Sequence, residues 1–270
     1  MRTSSTRDKN RLKNFAKKTA AILFWLAVWQ GVYMLVRQEI LVASPATVFA
    51  RLTELVGEPS FWMDTGGSLL RVLLGFVIAV GAGTILAACA HRFSLFAVLL
   101  QPVISIVKAT PVASFIILAL VWMKSGNMPV LISMLMVLPG VYIGVLQGIR
   151  STDPNLLEMA RVFRVSEQKI LLKIYTPSVM PYFMAACTTG LGLAWKAGIA
   201  AEVLGNTVHS IGGQIYDSKI YLETVDLFAW TLVVILLSMI IEKVVLGLVG
   251  RLLSYHRKSE RGGETDAHSA

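Results

Sequence analysis

Apolar positions along this chain gather into long unbroken runs, and polar positions are confined to the interludes between them. The runs cover residues 19–36, 68–90, 112–123, 128–149, 178–204 and 226–250. An α-helix needs about 20 apolar residues to cross the hydrocarbon layer of a membrane, and all but the third run approach or exceed that length. Each is read as a membrane-crossing helix. The short third run follows another apolar stretch, 95–107, which Gln101-Pro102 interrupts, and Lys108 to Pro111 interrupts again. A helix at the membrane edge or inside the bundle, followed by a third span over 112–123, accounts for that pattern. The expected fold is an all-α membrane protein, a bundle of six transmembrane helices. In the fourth run Gly140, Gly144 and Gly148 recur every fourth residue. Such a small-xxx-small row lets another helix approach closely where lipid supplies no hydrophobic drive, and Pro139 just before it is placed to kink the helix. The first run, with its basic flank, could also be a signal peptide. Its length, its aromatic residues and the spans that follow favour a helix that stays.

One polar interlude in the second half is long enough to carry structure of its own. Residues 153–177 read DPNLLEMARVFRVSEQKILLKIYTP and predict two short helices. Asp153-Pro154 is a helix start, an N-cap oxygen followed by a residue whose missing N–H costs nothing at the first position. Ser166 offers a second cap. Leu156, Ala160 and Phe163 fall at helical spacing on one face, with Glu158, Arg161 and Arg164 elsewhere on the surface.

Charge orients the spans. The N-terminal stretch (1–18), His91-Arg92, the interlude around Arg150 to Lys173 and the tail 251–270 are rich in basic residues. The segments 37–67, 124–127 and 205–225 are poor in them or outweighed by acids. By the positive-inside rule, six spans with both termini cytoplasmic satisfy every loop, and the Glu158 interlude lies in the cytoplasm. The polar stretch 37–67, with Ser44-Pro45 and Glu58-Pro59 as breakers, is expected as an outer loop, and the C-terminal tail as a frayed end.

Composition agrees with a membrane protein. Hydrophobic residues make up 55% and charged residues 15% of the chain, with a mean hydropathy of +0.67, outside the range of soluble domains. The net charge of +9 would suit nucleic acid, but the basic residues alternate with spans instead of forming a stripe with interleaved aromatics. No nucleic-acid partner is expected. Cys89 and Cys187 both lie in apolar runs without metal-type spacing. There is no Gly-Lys dipeptide, hence no phosphate-cradling loop, and the four histidines are scattered over loops and tails. No catalytic residue, metal site or cofactor is expected. Any energy for transport must come from another chain.

The Glu158 interlude resembles the cytoplasmic EAA loop of the permease subunits of bacterial ABC importers, whose pattern is Glu-Ala-Ala, three residues, Gly, nine residues, Ile-x-Leu-Pro. Glu158, Ala160, Ile174 and Pro177 match at the right spacing, whereas Met159, Arg164 and Thr176 stand in place of an Ala, the Gly and the Leu. An ordinary basic loop between spans is the plainer alternative. The passages LVASPATV, SLLRVLLGF and GLGLAWKAGIAAEVLG are similar to the subgroup serving sulfonates, taurine, nitrate and thiamine precursors, in family order. The resemblance implies a type I importer permease fold and a coupling surface on Glu158, Met159, Ala160, Arg161, Phe163, Arg164, Ile174 and Pro177. It also implies two cytoplasmic ATP-binding subunits, an extracytoplasmic solute-binding protein and a second permease subunit in a homodimer. A transporter driven by an ion gradient is the alternative function, with Glu202 and Glu242 as candidate coupling acids; a non-transporting scaffold is a third.

Lys196 stands out because it sits inside the fifth span beside Trp195. An ammonium facing lipid costs about 3 kcal/mol, so the side chain must face the bundle, water or a partner. Glu202 is the nearest acid in sequence, but six residues turn a helix by about 240°. The partner must then come from another helix, the second subunit or the solute. Lys196, Trp195 and Glu202 are the candidates for the translocation path, and the Gly140 row is either a contact or a wall of that path.

Overall fold

The computed structural model describes residues 4–267, with side chains from 16 to 244; the chain ends, 1–3 and 268–270, lie outside the described residues. Every long element is an α-helix. Five helical stretches are long and apolar enough to cross a membrane, and a sixth crossing is reached if one bent helix pair counts as a span. The chain divides into two compact units, one of residues 1–62 with 214–233 and one of residues 63–213 with 234–270.

The first unit holds α1 (Ser4–Val36) and α2 (Pro45–Gly57) with the opening of α11 (Thr224–Ala267). Here the expected outer loop 37–67 is corrected. Ser44-Pro45 is a helix start and not a breaker, since the Ser44 hydroxyl accepts from the Thr47 N–H at 3.1 Å and Pro45 takes the first position. Val48 and Leu55, one heptad apart, are buried and fix α2 by its apolar side. Arg51 grips Asp226 with two hydrogen bonds of 2.7 and 3.0 Å, the bidentate geometry of a strong pair, which raises the arginine pKa further above its ordinary value. Trp29 stacks on Phe228 and Phe61 on Trp230. The tail expected to fray continues as helix through Ala267.

The second unit holds most of α3 (Pro59–Arg92), then α4 (Ser94–Ala109), α5 (Val112–Trp122), α6 (Met128–Arg150), α7 (Pro154–Val162), α8 (Glu167–Ile170), α9 (Thr176–Gly205) and the start of α10 (Ile211–Ile220). At 11 residues, α5 is about 16 Å long, roughly half the hydrocarbon thickness. It cannot be a span by itself. It meets α4 at 105° across Thr110-Pro111, where a residue before proline is driven out of the helical region. Ile116 and Ala119 of α5 pack with Met128 and Ile132 of α6 and Ala197 and Ala201 of α9 in a buried cluster.

The glycine row of α6 divides. A Cβ on Gly148 would lie 2.8 Å from Val179 Cα, and one on Gly144 would lie 3.0 Å from Ala186 Cβ, so these two let α9 close in. Gly140 meets nothing within 4 Å, which removes it from that contact. The row is packing within one subunit at two of its three positions. The C-terminal ends of α3 and α6, together with α7 and the start of α9, meet at one end of this unit, which carries Arg92, Arg150, Arg161 and Arg164. Ser68, Arg71, Ser125 and Gly205 mark the opposite end.

Candidate functional site

The basic end is built around α7. Asp153 caps it, accepting the Asn155 N–H at 2.8 Å, with Pro154 at the first position. The other terminus closes by two backbone bonds, Arg164 N–H to Arg161 C=O at 3.0 Å and Val165 N–H to Ala160 C=O at 2.9 Å, the pairing of a Schellman motif. That motif requires a left-handed residue after the cap, and Arg164 takes it with φ of 50°. Glycine adopts this conformation freely, whereas a side chain there costs about 1 kcal/mol. The turn therefore keeps the geometry for which the related loop pattern uses Gly, although the residue is Arg.

The face assignment of α7 changes. Ala160 is buried and Leu157 half-buried, so the helix rests on that side. Phe163 lies beyond the helix end and is 75% exposed, as is Val162, with Met159 and Leu156 also open. These four make an apolar patch beside exposed Glu158, with Arg161 on the side of Leu157, and such a patch on a polar segment fits a contact with protein or membrane. Met159, which replaces a family Ala, enlarges it. Glu158 makes no side-chain hydrogen bond or ion pair among the described residues, so the possible bond to Arg161 is not formed.

Ser166 occupies the second cap position but makes no side-chain cap bond. After α8 the chain passes through a wide π turn, Leu171–Tyr175, which contains Ile174, and runs directly into α9. The Thr176 hydroxyl donates to Leu171 C=O at 2.8 Å, satisfying a carbonyl of the widened turn. Pro177 follows, and a π turn just before it gives room for a ring that clashes with a regular helix. The Thr in place of a family Leu thus has a local backbone role.

Three residues expected on one path separate. Trp195 is buried and donates its indole N–H to Val234 C=O at 3.1 Å, which makes it a packing anchor between α9 and α11. Lys196 is exposed on α9 and lines a cavity of about 250 Å3 with Thr188, Thr189, Ser238 and Glu242. The acid that shares its surroundings is therefore Glu242 of α11, and no side-chain bond of Lys196 is formed among the described residues. Glu202 faces elsewhere and is fully buried. It accepts from the Ser68 hydroxyl at 2.6 Å, the Gly212 N–H at 3.2 Å and Arg71 Nη1 at 3.3 Å. Ser68 in turn accepts the Ile211 N–H at 2.9 Å. A carboxylate at the start of α10 also meets the positive end of that helix. Gly212 is required there, because a Cβ would collide with Glu202 Cβ. Glu202 is a structural clasp among α3, α9 and α10.

A polar surface that the apolar pattern hid lies between α4 and α6. Ser94, Gln101, Ser105 and Lys108 fall on one face of α4 and look across a cavity of about 830 Å3 at Gln147 and Arg150 of α6. Among the described residues no carboxylate lines it. The signal was present in the sequence as polar residues at helical spacing inside 95–107 and just after it.

With this geometry in view, the comparisons decide the family. Residues 79–255 match the model of the binding-protein-dependent transport system inner membrane component. The chain belongs to that family. It is an ABC importer permease, and not a transporter driven by an ion gradient. The aliphatic sulfonates transport permease protein SsuC of Bacillus subtilis is 25% identical over 87% of this chain and 86% of its own length. The nitrate import permease protein NrtB of Synechococcus elongatus is 26% identical over 81% of each. The taurine transport system permease protein TauC of Escherichia coli is 23% identical over 88% of each. An amino acid ABC transporter crystallised with histidines superposes with a TM-score of 0.60 over 74% of this chain and 96% of that chain, at 16% identity. This last likeness is one of fold. As a member of a transport family, the subunit has no catalytic role of its own.

Proposed function

We propose that this permease imports a small polar or anionic solute of the sulfonate, taurine, nitrate or thiamine-precursor kind. Two copies form the path, two cytoplasmic ATP-binding subunits dock on α7, an extracytoplasmic binding protein delivers the solute, and both termini lie in the cytoplasm. The observation that carries the solute class is the lining of the α4–α6 cavity, where Lys108 and Arg150 face amides and hydroxyls without an acid. A cavity of one sign concentrates solute of the other. Relatives are named for sulfonates, nitrate, taurine and bicarbonate, all of which carry an oxyanion group. Lys196 adds positive charge higher along α9.

In this reading ATP closes the ATPase pair and pulls on the patch of Met159, Val162 and Phe163. Glu158 sets the register of that contact. Because α8 runs into α9 without a break, movement of the coupling module reaches α9 as a unit. The two permease copies then rock between inward-open and outward-open states.

Replacing Lys196 with Met keeps length and removes charge. In proteoliposomes carrying the whole complex, uptake of a radiolabelled sulfonate should fall while assembly and binding-protein docking persist. Uptake at the wild-type rate would remove Lys196 from the path.

A further inference from the structure

Behind α7, on the side turned away from its exposed apolar patch, lies an open cavity of about 920 Å3 lined by α3, α6, α7, α8, the π turn and the start of α9. Its two parts differ in chemistry. The deep wall is apolar, with Ala88, Val145, Ile149, Val179, Met180 and Phe183. The mouth carries His91, Arg92, Arg161 and Arg164 against a single carboxylate, Glu167. From Arg92 back to Thr84, and from Tyr175 on to Phe183, the lining follows its helices for about 12 Å, most of the depth of one leaflet.

The guanidiniums at the mouth form no ion pair and no side-chain hydrogen bond among the described residues. Arg92 lies over the Phe93 ring at 5.5 Å, and the His91 and Tyr175 rings meet edge-on across the mouth with centroids 6.1 Å apart. Like charges held together repel unless an anion lies among them. Arg164 is held in this cluster despite the left-handed backbone that would suit glycine, and a strained residue kept in place points to a use for its side chain.

We propose that this cavity binds an anionic phospholipid, with the phosphodiester among Arg92, Arg161 and Arg164 and one acyl chain along Val145, Val179 and Phe183. Basic pockets between membrane helices hold such headgroups. A free oxyanion would satisfy the mouth and leave the apolar wall bare, which is why the lipid is the better occupant. The lipid would join the coupling helix to α3 and α9, so that its presence stiffens the element that meets the ATPase. The inference rests on the chain being a membrane permease and is independent of the solute it carries.

The test is native mass spectrometry of the full-length chain in detergent, titrated separately with phosphatidylglycerol, phosphatidylcholine and inorganic phosphate. One phosphatidylglycerol per chain should be retained, with phosphatidylcholine and phosphate at least about fivefold weaker. The double variant R161Q/R164Q should lose roughly thirtyfold in phosphatidylglycerol affinity, at about fivefold per cation. Arg164→Gly should lose about fivefold with no fall in thermal stability, because glycine is at ease in that turn. Equal retention of the two lipids, or wild-type retention by the double variant, overturns the proposal. Phosphate binding as tightly as the lipid would make this a free-anion site and overturns the lipid assignment. A loss of both lipid and stability in Arg164→Gly would make Arg164 a structural residue and overturn its place in the site.

Discussion

Replacing Glu202 should unlock the end of the second unit opposite α7. The carboxylate is buried and receives three donors, the Ser68 hydroxyl, the Gly212 N–H and Arg71 Nη1. In Glu202→Ala, Arg71 keeps the carbonyls of His209 and Val208 and is partly in solvent, so its share is small. The Ser68 hydroxyl and the Gly212 N–H are left without acceptors, at about 1–3 kcal/mol each. We expect a loss of about 4 kcal/mol. Glu202→Gln keeps the volume and one acceptor oxygen but turns an NH2 toward one of the donors, so about 2 kcal/mol is expected. The assay is SDS-titrated unfolding in a Cys89→Ser background, followed by a thiol-reactive dye that reports buried Cys187. An alanine variant within about 1 kcal/mol of the parent, below the cost of even one stranded donor, would refute the clasp.

Three further outcomes follow from particular contacts. Gly148→Leu should destabilise the α6–α9 contact by about 3 kcal/mol or more through overpacking, whereas Gly140→Ala should be neutral or slightly stabilising; the same SDS titration measures both. Glu158→Lys should leave stability near the parent while reducing uptake, since the exposed side chain makes no hydrogen bond or ion pair among the described residues; unchanged uptake would remove it from coupling. A reporter fused after Asn127 should read outside and one after Ser166 inside, and reversal at either site would end the proposed orientation.

The helical membrane fold was legible because lipid demands long apolar runs, and that demand leaves a plain trace in the sequence. The cap at Asp153 was legible too, from residue type; the left-handed turn at Arg164 was not, because an Arg stands where the related pattern has its Gly. The third span was not. A short run after Lys108 to Pro111 reads as one helix at the level of hydropathy, and only packing reveals that α5 is half a crossing set at an angle to α4. Helix α2 was hidden because its polar residues, among them Arg51 with its Asp226 partner, looked like loop composition. The path residues were the least legible. Lys196 and Glu202 share a helix, yet their surroundings depend on α3 and α11, distant in sequence. Glu202 finds its donors in Ser68, Arg71 and Gly212, while Glu242 lines the cavity beside Lys196.

The central claim is that this subunit moves solute only when a separate ATPase works through α7. The most direct measurement is solute accumulation in proteoliposomes containing the permease with its ATPase, with binding protein outside and ATP inside. Accumulation should require ATP, be lost when the α7 patch is disrupted by Phe163→Asp, and be absent for the permease alone under a proton or sodium gradient. Accumulation by the permease alone under such a gradient, or ATP-driven uptake unaffected by Phe163→Asp, would contradict it.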